Sequence, residues 1–260
     1  MAAPIDFVET SRAVADRLHD YRSRVNRLVA PDDAMFSGDL EGYLSVSDSA
    51  IAQIGHTMTI CGRTSFGRIL DLPSGHGRVM RGLHAAFPDA ELTACDLDRG
   101  GVDFCATQFG AVPVYSDPDP ARIPLDGDFD LIWVGSLLTH LDAGRCREFL
   151  DLFRTHLSEG GLLLFSSHGR NAVKRWPKDD ERAQAIAEDF QRKGFGYRDH
   201  HGVQGYGTSA FTAAWITETL ATWTDLMILA YVERGLADHQ DLIAVLKMDV
   251  HHRQGDLLLV

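Results

Sequence analysis

The chain has 260 residues, enough to bury one substantial core with a small cap, and one domain is the default for that length. Its 37 Asp and Glu against 25 Lys and Arg give a formal charge of −12, which leaves none of the overall positive field that non-specific binding to a phosphate backbone relies on. Cys61, Cys95, Cys105 and Cys146 have no C-x-x-C spacing, residues 1–7 have no basic start followed by an apolar stretch, and no apolar run approaches the ~18 residues of a membrane span. The expectation is a cytoplasmic protein with reduced thiols whose partners are neither nucleic acid nor membrane.

Val14, Leu18, Tyr21, Val25 and Leu28 recur at intervals of four and three, which predicts an amphipathic helix over 4–29, stopped by Pro31-Asp32-Asp33. A second helix is expected over 46–58, with Ile51 and Ile54 inward, leading into a first strand at 66–72. From Gly77 onward helix and strand alternate. Val79, Leu83 and Phe87 mark one helix face, 90–95 is an apolar strand, 102–109 a helix, and 112–115 a short strand whose Pro113 suits an edge. Residues 129–135 form a continuous apolar strand, 146–157 a helix, and 160–165 a buried strand after a glycine turn. Such alternation predicts an α/β fold: a doubly wound, mostly parallel sheet with helices on both faces.

The segment 170–212 is too long for a simple connection and mixes a charged helix at 179–192 with Trp176, Phe190, Phe195, Tyr197, Tyr206 and Phe211, the composition of a substrate cap. Residues 225–232 and 240–247 are apolar strands whose connection at 233–239 leaves no room for a crossover helix, so they must form an antiparallel hairpin. The chain then divides into an N-terminal helical segment, 1–65, packed on a core of 66–260 that carries the cap. No internal repeat is present.

The most informative stretch is Ile69-Leu70-Asp71-Leu72-Pro73-Ser74-Gly75-His76-Gly77-Arg78, an apolar strand running into a small glycine turn and then a helix. Such a turn exposes backbone N–H groups at a helix N-terminus and lets a ligand approach the main chain. The next strand ends in Asp96, the position where doubly wound folds hold ribose hydroxyls. As a dinucleotide fingerprint the turn fails, because the third glycine position is Met80. It resembles instead the D-x-G-x-G-x-G turn of class I S-adenosylmethionine-dependent methyltransferases of the small-molecule type. Asp71, Gly75 and Gly77 fall on the acidic residue and the second and third glycines, and Pro73 replaces the first.

That resemblance covers about 66–248 and implies a Rossmann-like sheet of seven strands closed by the antiparallel hairpin. It implies S-adenosylmethionine as cofactor, S-adenosylhomocysteine as its product, and a cofactor site drawn from Asp71, Pro73, Ser74, Gly75, Gly77, Asp96, Leu97, Asp117, Gly135, Ser136 and Leu137. Pro73 lacks an N–H, so the usual backbone contact is not expected there. Asp71 either supports the turn or meets the cofactor's ammonium through water, Asp98 either binds or caps a helix, and Asp117 either meets the adenine amino group or belongs to a plain surface loop. In that family, helices before the first strand often close over the cofactor, which would bring Tyr43 and 45–49 to the pocket.

Two histidines, His140 after the fourth strand and His168 after the fifth, stand at the ligand end, where an imidazole titrating near neutrality can take a proton from a hydroxyl acceptor. Packing or helix capping is the other reading of these positions. Arg170, Lys174 and Arg175 either greet an anionic acceptor or form a solvated turn. His200-His201 and His251-His252 are adjacent pairs whose members point to opposite faces in a strand, with no carboxylate cluster beside them, so no metal is expected. The implied activity is methyl transfer to a small molecule, at a hydroxyl of a sugar, lipid or secondary metabolite, or at nitrogen. The alternatives are an NAD(P)-dependent reductase and a noncatalytic cofactor-binding protein.

Overall fold

Asp6 accepts hydrogen bonds from the Val8 and Glu9 amides and so starts helix α1 (Phe7–Leu18). The structure is a computed structural model describing residues 5–249; the expected helix start at Pro4 and the pair His251-His252 lie outside those residues. The single helix expected over 4–29 is two pieces. Asp20 takes a φ of 55°, and a 3-10 turn at Tyr21–Arg24 follows. Val14 and Tyr21 are nonetheless both buried in the same core, because two short pieces can deliver the same apolar spacing to one face.

Helix α2 (Leu40–Cys61) runs further than expected at both ends, from the Asp39 cap to Gly62, whose φ of 76° ends it in the left-handed conformation glycine adopts freely. Then come β1 (Arg68–Asp71), α3 (Met80–Ala86), β2 (Glu91–Asp96), α4 (Arg99–Phe109) and β3 (Val112–Tyr115). They are followed by β4 (Phe129–Val134), α5 (Ala143–His156) and β5 (Leu157–Ser167). The inserted segment folds as α6 (Arg170–Arg175), α7 (Glu181–Lys193), β6 (Phe195–Asp199) and β7 (Gly207–Phe211), and the chain closes with α8 (Ala213–Leu220), β8 (Leu226–Leu236) and β9 (Gln240–Lys247). Asp98, Asp142 and Asp180 cap α4, α5 and α7 through their side chains, so part of the acidic excess sits at helix N-termini, where the macrodipole favours it.

Seven strands form one sheet in the order β3-β2-β1-β4-β5-β9-β8, with β6 and β7 paired separately. Strands β1 to β5 are parallel, and β9 enters antiparallel between β5 and β8. Pro113 does lie on an edge, since β3 pairs only with β2. Side chains alternate across the sheet with period two. Ile69, Leu131, Leu162 and Leu164 join Ile51, Ile54 and Met58 of α2 in one core, while Leu70, Ile132, Leu163 and Phe165 join Phe149, Leu150 and Phe153 of α5 in the other. Both faces are therefore covered, which is why the strands read as continuous apolar runs. Among the described residues no helix is long and apolar enough to cross a membrane.

One buried cation ties the N-terminal strap to the glycine turn. Arg81 is 0% exposed; its Nε donates to Gly77 O at 3.0 Å and its Nη1 to Asn26 O at 2.8 Å and Leu28 O at 3.0 Å, while Tyr43 lies 5.1 Å below the guanidinium. Carbonyl dipoles and a ring face replace water around this charge. Arg81→Met removes those donors and leaves the carbonyls unsatisfied. Urea unfolding should show a loss of about 3 kcal/mol, with cleavage by trypsin first appearing in the strap at 25–36.

Candidate active site

Strand β1 ends on Asp71, which is 1% exposed and whose Oδ2 has no hydrogen-bond partner among the described residues. Burial raises its carboxyl well above the usual carboxylate range, the nearby Asp96 charge adds to this, and Arg78 opposes it. Three amides of the turn that follows are engaged within the fold. Ser74 N–H donates to Cys95 O at 3.0 Å, Gly75 N–H to Asp96 Oδ2 at 2.7 Å and Gly77 N–H to Ser74 O at 3.0 Å. The Leu72–Pro73 peptide is cis, and Pro73 has no amide to give. What the turn does offer is space: a Cβ on Gly75, whose φ is 49°, would meet nothing within 4 Å. An unpartnered buried carboxylate oxygen beneath a turn whose amides are engaged suits a cationic group better than a phosphate.

Asp96, at the end of β2, accepts from Gly75 N–H with one oxygen and from Asp98 N–H, 2.9 Å away, with the other. Each oxygen keeps a further lone pair for a hydroxyl. Leu97 beside it is 59% exposed, an apolar surface next to a polar grip. Asp98 caps α4 by accepting from Gly100 and Gly101. Asp117 is engaged by its own loop: it accepts from Asp119 N–H at 2.8 Å and from Arg122 at 2.7 Å, contacts that hold its carboxyl below the ordinary range. Ser136, after β4, holds a φ of 65°, a backbone conformation rare outside glycine; Ser166 Oγ receives its N–H at 2.8 Å, and the Gln240 amide meets its hydroxyl. Gly135 and Leu137 flank it and are half-buried.

The two histidines share one anchor. His140 Nδ1 lies 2.8 Å from Gly207 O and His168 Nδ1 lies 2.9 Å from Ser209 O, alternate residues on one face of β7. A carbonyl only accepts, so Nδ1 carries the proton in each ring and Nε2 keeps its lone pair. Neither Nε2 has a hydrogen-bond partner among the described residues. Strand β7 is itself fixed to the strand ends: its Gly207 and Ser209 amides donate to His140 O and Thr139 O, and Phe211 N–H donates to His168 O. Burial lowers the His140 pKa, with the Gly207 carbonyl opposing. It lowers that of His168 further, to about 4, the Ser209 carbonyl opposing and His239 adding to the shift.

Other expected site residues are engaged elsewhere. Tyr43 is buried and donates to Asp33 Oδ2 at 2.5 Å; Ser47 donates to Val79 O, and Ser49 bridges Gly235 O and Ala237 N–H in the β8–β9 turn. These serines pin α2 to its neighbours instead of lining a pocket. Arg170 pairs with Glu233 at 2.7 Å and Arg175 with Asp238 at 3.6 Å, so hairpin carboxylates already face both guanidiniums. His200 Nδ1 is 3.0 Å from Arg182 Nη1, a donor contact unlike metal ligation. Sequence reasoning missed His76 and Arg78, although both stand inside the glycine motif. Buried His76 lies 3.4 Å from Asp32 and 3.6 Å from Asp98, and Arg78 sits over the Tyr43 ring at 6.0 Å. The shortest signal for them was their place between and after the two glycines.

Residues 70–163 match a family model described as a methyltransferase domain. No functionally curated protein matches the chain. Among solved structures, an S-adenosylmethionine-dependent methyltransferase from Clostridium acetobutylicum is 17% identical, with 82% of this chain and 94% of that one covered at a TM-score of 0.53. CalS10, an amino pentose methyltransferase from Micromonospora echinaspora solved with S-adenosylmethionine, is 16% identical over 78% of this chain and 92% of that one, at 0.55. The 1,6-didemethyltoxoflavin N1-methyltransferase of Burkholderia thailandensis, solved with that compound and S-adenosylhomocysteine, is 16% identical over 96% and 92%, at 0.52. At these identities the likeness is one of fold.

The buried imidazole after β5 leaves a signature in stability. Above the ordinary pKa of 6.5, His168 is neutral in both the folded and the unfolded chain; as pH falls from about 6.5 to about 4, only the unfolded chain takes up the proton. Stability should therefore drop across that window and level off below it, by on the order of 3 kcal/mol from this residue. In His168→Phe the slope of unfolding free energy against pH between 6.5 and 4 should flatten; a slope identical to the parent's would remove the assignment.

Proposed function

We propose that the chain, whose residues 70–163 match a methyltransferase-domain model, is a class I S-adenosylmethionine-dependent enzyme that methylates a hydroxyl group of a small molecule such as a sugar, lipid or secondary metabolite. The observation that carries the reading is the Asp71 oxygen left unpartnered beneath an open glycine turn. S-adenosylmethionine supplies a methyl group on a positively charged sulfur, and its spent form is S-adenosylhomocysteine. Asp96 offers both carboxylate oxygens to the ribose hydroxyls, and Leu97 covers an adenine face. Asp71 faces the ammonium at the amino-acid end, which both forms of the cofactor carry, and that cation restores its ionisation. Ser74, Gly75, Gly77, Gly135, Ser136 and Leu137 shape the cleft between these carboxylates. Asp117 meets the adenine amino group through Oδ2, since Arg122 and the Asp119 amide both hold Oδ1.

On the acceptor side the protein holds its bases neutral. Both imidazoles are fixed in the tautomer that leaves Nε2 free, and lowered pKa values keep them unprotonated at neutral pH. A base works best with a pKa near the working pH. His140, whose shift is the smaller, takes the acceptor's proton, and His168 accepts a hydrogen bond that orients it. Holding donor and acceptor in line supplies most of the remaining acceleration. A nicotinamide dinucleotide is disfavoured, since three of the turn amides that could meet its pyrophosphate are held by Cys95 O, Asp96 and Ser74 O. A cytoplasmic address is part of this proposal, supported by four free thiols.

Calorimetry with S-adenosylhomocysteine and with NADH separates the readings: heat with the first and none with the second is expected, and the reverse would overturn the methyltransferase reading. Asp71→Asn should weaken S-adenosylhomocysteine binding about tenfold or more while leaving the folded chain intact, because a hydrogen bond between charged groups contributes about 1.5–3 kcal/mol. For the parent, affinity should fall as pH falls and Asp71 protonates; a pH-independent affinity would show that Asp71 does not face the cation. His140→Ala should lower kcat about a hundredfold without changing that affinity. The parent's kcat should stay flat through pH 6.5, the ordinary histidine pKa, and fall only at lower pH, since a lowered pKa keeps the base free throughout the neutral range.

A further inference from the structure

The tip of the β6–β7 hairpin adds a second reader to the acceptor site. Resting on the methyltransferase reading above, we propose that His200 donates its Nε2–H to an oxygen adjacent to the hydroxyl facing His140. The enzyme then selects acceptors that carry two neighbouring oxygens, such as a vicinal diol, a catechol or a hydroxy-carbonyl.

The assignment follows from which partners can only give and which can only take. A guanidinium has donors and no acceptor, so Arg182 Nη1, 3.0 Å from His200 Nδ1, fixes a lone pair on Nδ1 and the proton on Nε2. The Gly207 carbonyl fixes the opposite arrangement in His140, 2.8 Å away. The two ring centres lie 6.0 Å apart, and one ring keeps a free acceptor while the other keeps a free donor. Hydrogen bonds of about 2.8 Å on neighbouring oxygens can bridge that span.

The tip is built to hold this geometry. His200 N–H donates to Tyr206 O at 2.9 Å, Val203 N–H to His200 O at 3.0 Å and Gly205 N–H to Asp199 at 2.9 Å. The Tyr206 ring stacks on His140 at 4.7 Å and 17° and contacts His200 at 5.4 Å. Burial raises the Tyr206 pKa and the Asp96 charge adds to the shift, so the hairpin tip lies within electrostatic reach of Asp96. Because Arg170 and Arg175 already face carboxylates, discrimination here rests on hydrogen-bond pattern and not on charge.

The test uses protein saturated with S-adenosylhomocysteine, imidazole nitrogen NMR near pH 7.5, and catechol against its isomer hydroquinone. Expected are Nδ1–H on His140, Nε2–H on His200, and catechol bound about fivefold tighter than hydroquinone, the worth of one uncharged hydrogen bond. Arg182→Met should let the two His200 nitrogens exchange their proton and erase the preference, with the His140 signals unchanged. His200→Phe should erase the preference too. Nδ1–H on His200, equal affinity for the two isomers, or no binding of either overturns the inference. Failure of S-adenosylhomocysteine itself to bind is a different result, and it overturns the methyltransferase reading instead.

Discussion

A hydrogen bond from the Gly75 amide to Asp96 Oδ2 at 2.7 Å, with that from the Ser74 amide to Cys95 O at 3.0 Å beside it, ties the loop that follows β1 to the end of β2. Every other feature of the cleft is referred to that link. It fixes the orientation of the Asp96 carboxylate and uses an amide that would otherwise attract an anion. Helix α4 packs so closely against the same turn that a Cβ at Gly101 would stand 2.5 Å from Gly75 O. The acidic floor is consequently a rigid object, and a floor of two neighbouring carboxylates with engaged amides discriminates by charge before it discriminates by shape.

Much of the framework was legible in the residues. The apolar runs at β1, β2, β4 and β5 are continuous because both faces of the sheet are covered, and Pro113 marked the edge because it cannot donate to a ladder. The β8–β9 connection was too short to be anything but antiparallel. The N-terminal helix misled because hydrophobic spacing reports which residues share a face; it does not report whether one helix or two pieces present them. Asp20, in the left-handed region, interrupts the backbone without disturbing the burial of Tyr21.

The site was legible as a set of strand ends and illegible as a set of contacts. Position along the sheet brought Asp71, Asp96, Ser136, His140 and His168 to one rim, as a parallel arrangement requires. What each does depends on partners far away in sequence: Gly207 for His140, Ser209 for His168, Gln240 for Ser136. The cationic appearance of Arg170 and Arg175 disappears for the same reason, because the carboxylates that meet them arrive from the closing hairpin. Local composition carries no record of such long-range pairings.

Both imidazoles after β4 and β5 are held by main-chain oxygens of β7, not by its side chains. A peptide carbonyl is present whatever residue occupies the position. The cap strand could therefore accumulate substitutions that reshape what it admits while the protonation pattern of the two rings survives intact. Diversification of the guest and conservation of the chemistry become separable, and descendants of such a chain would be free to change their preferred molecule without first losing the ability to act on one.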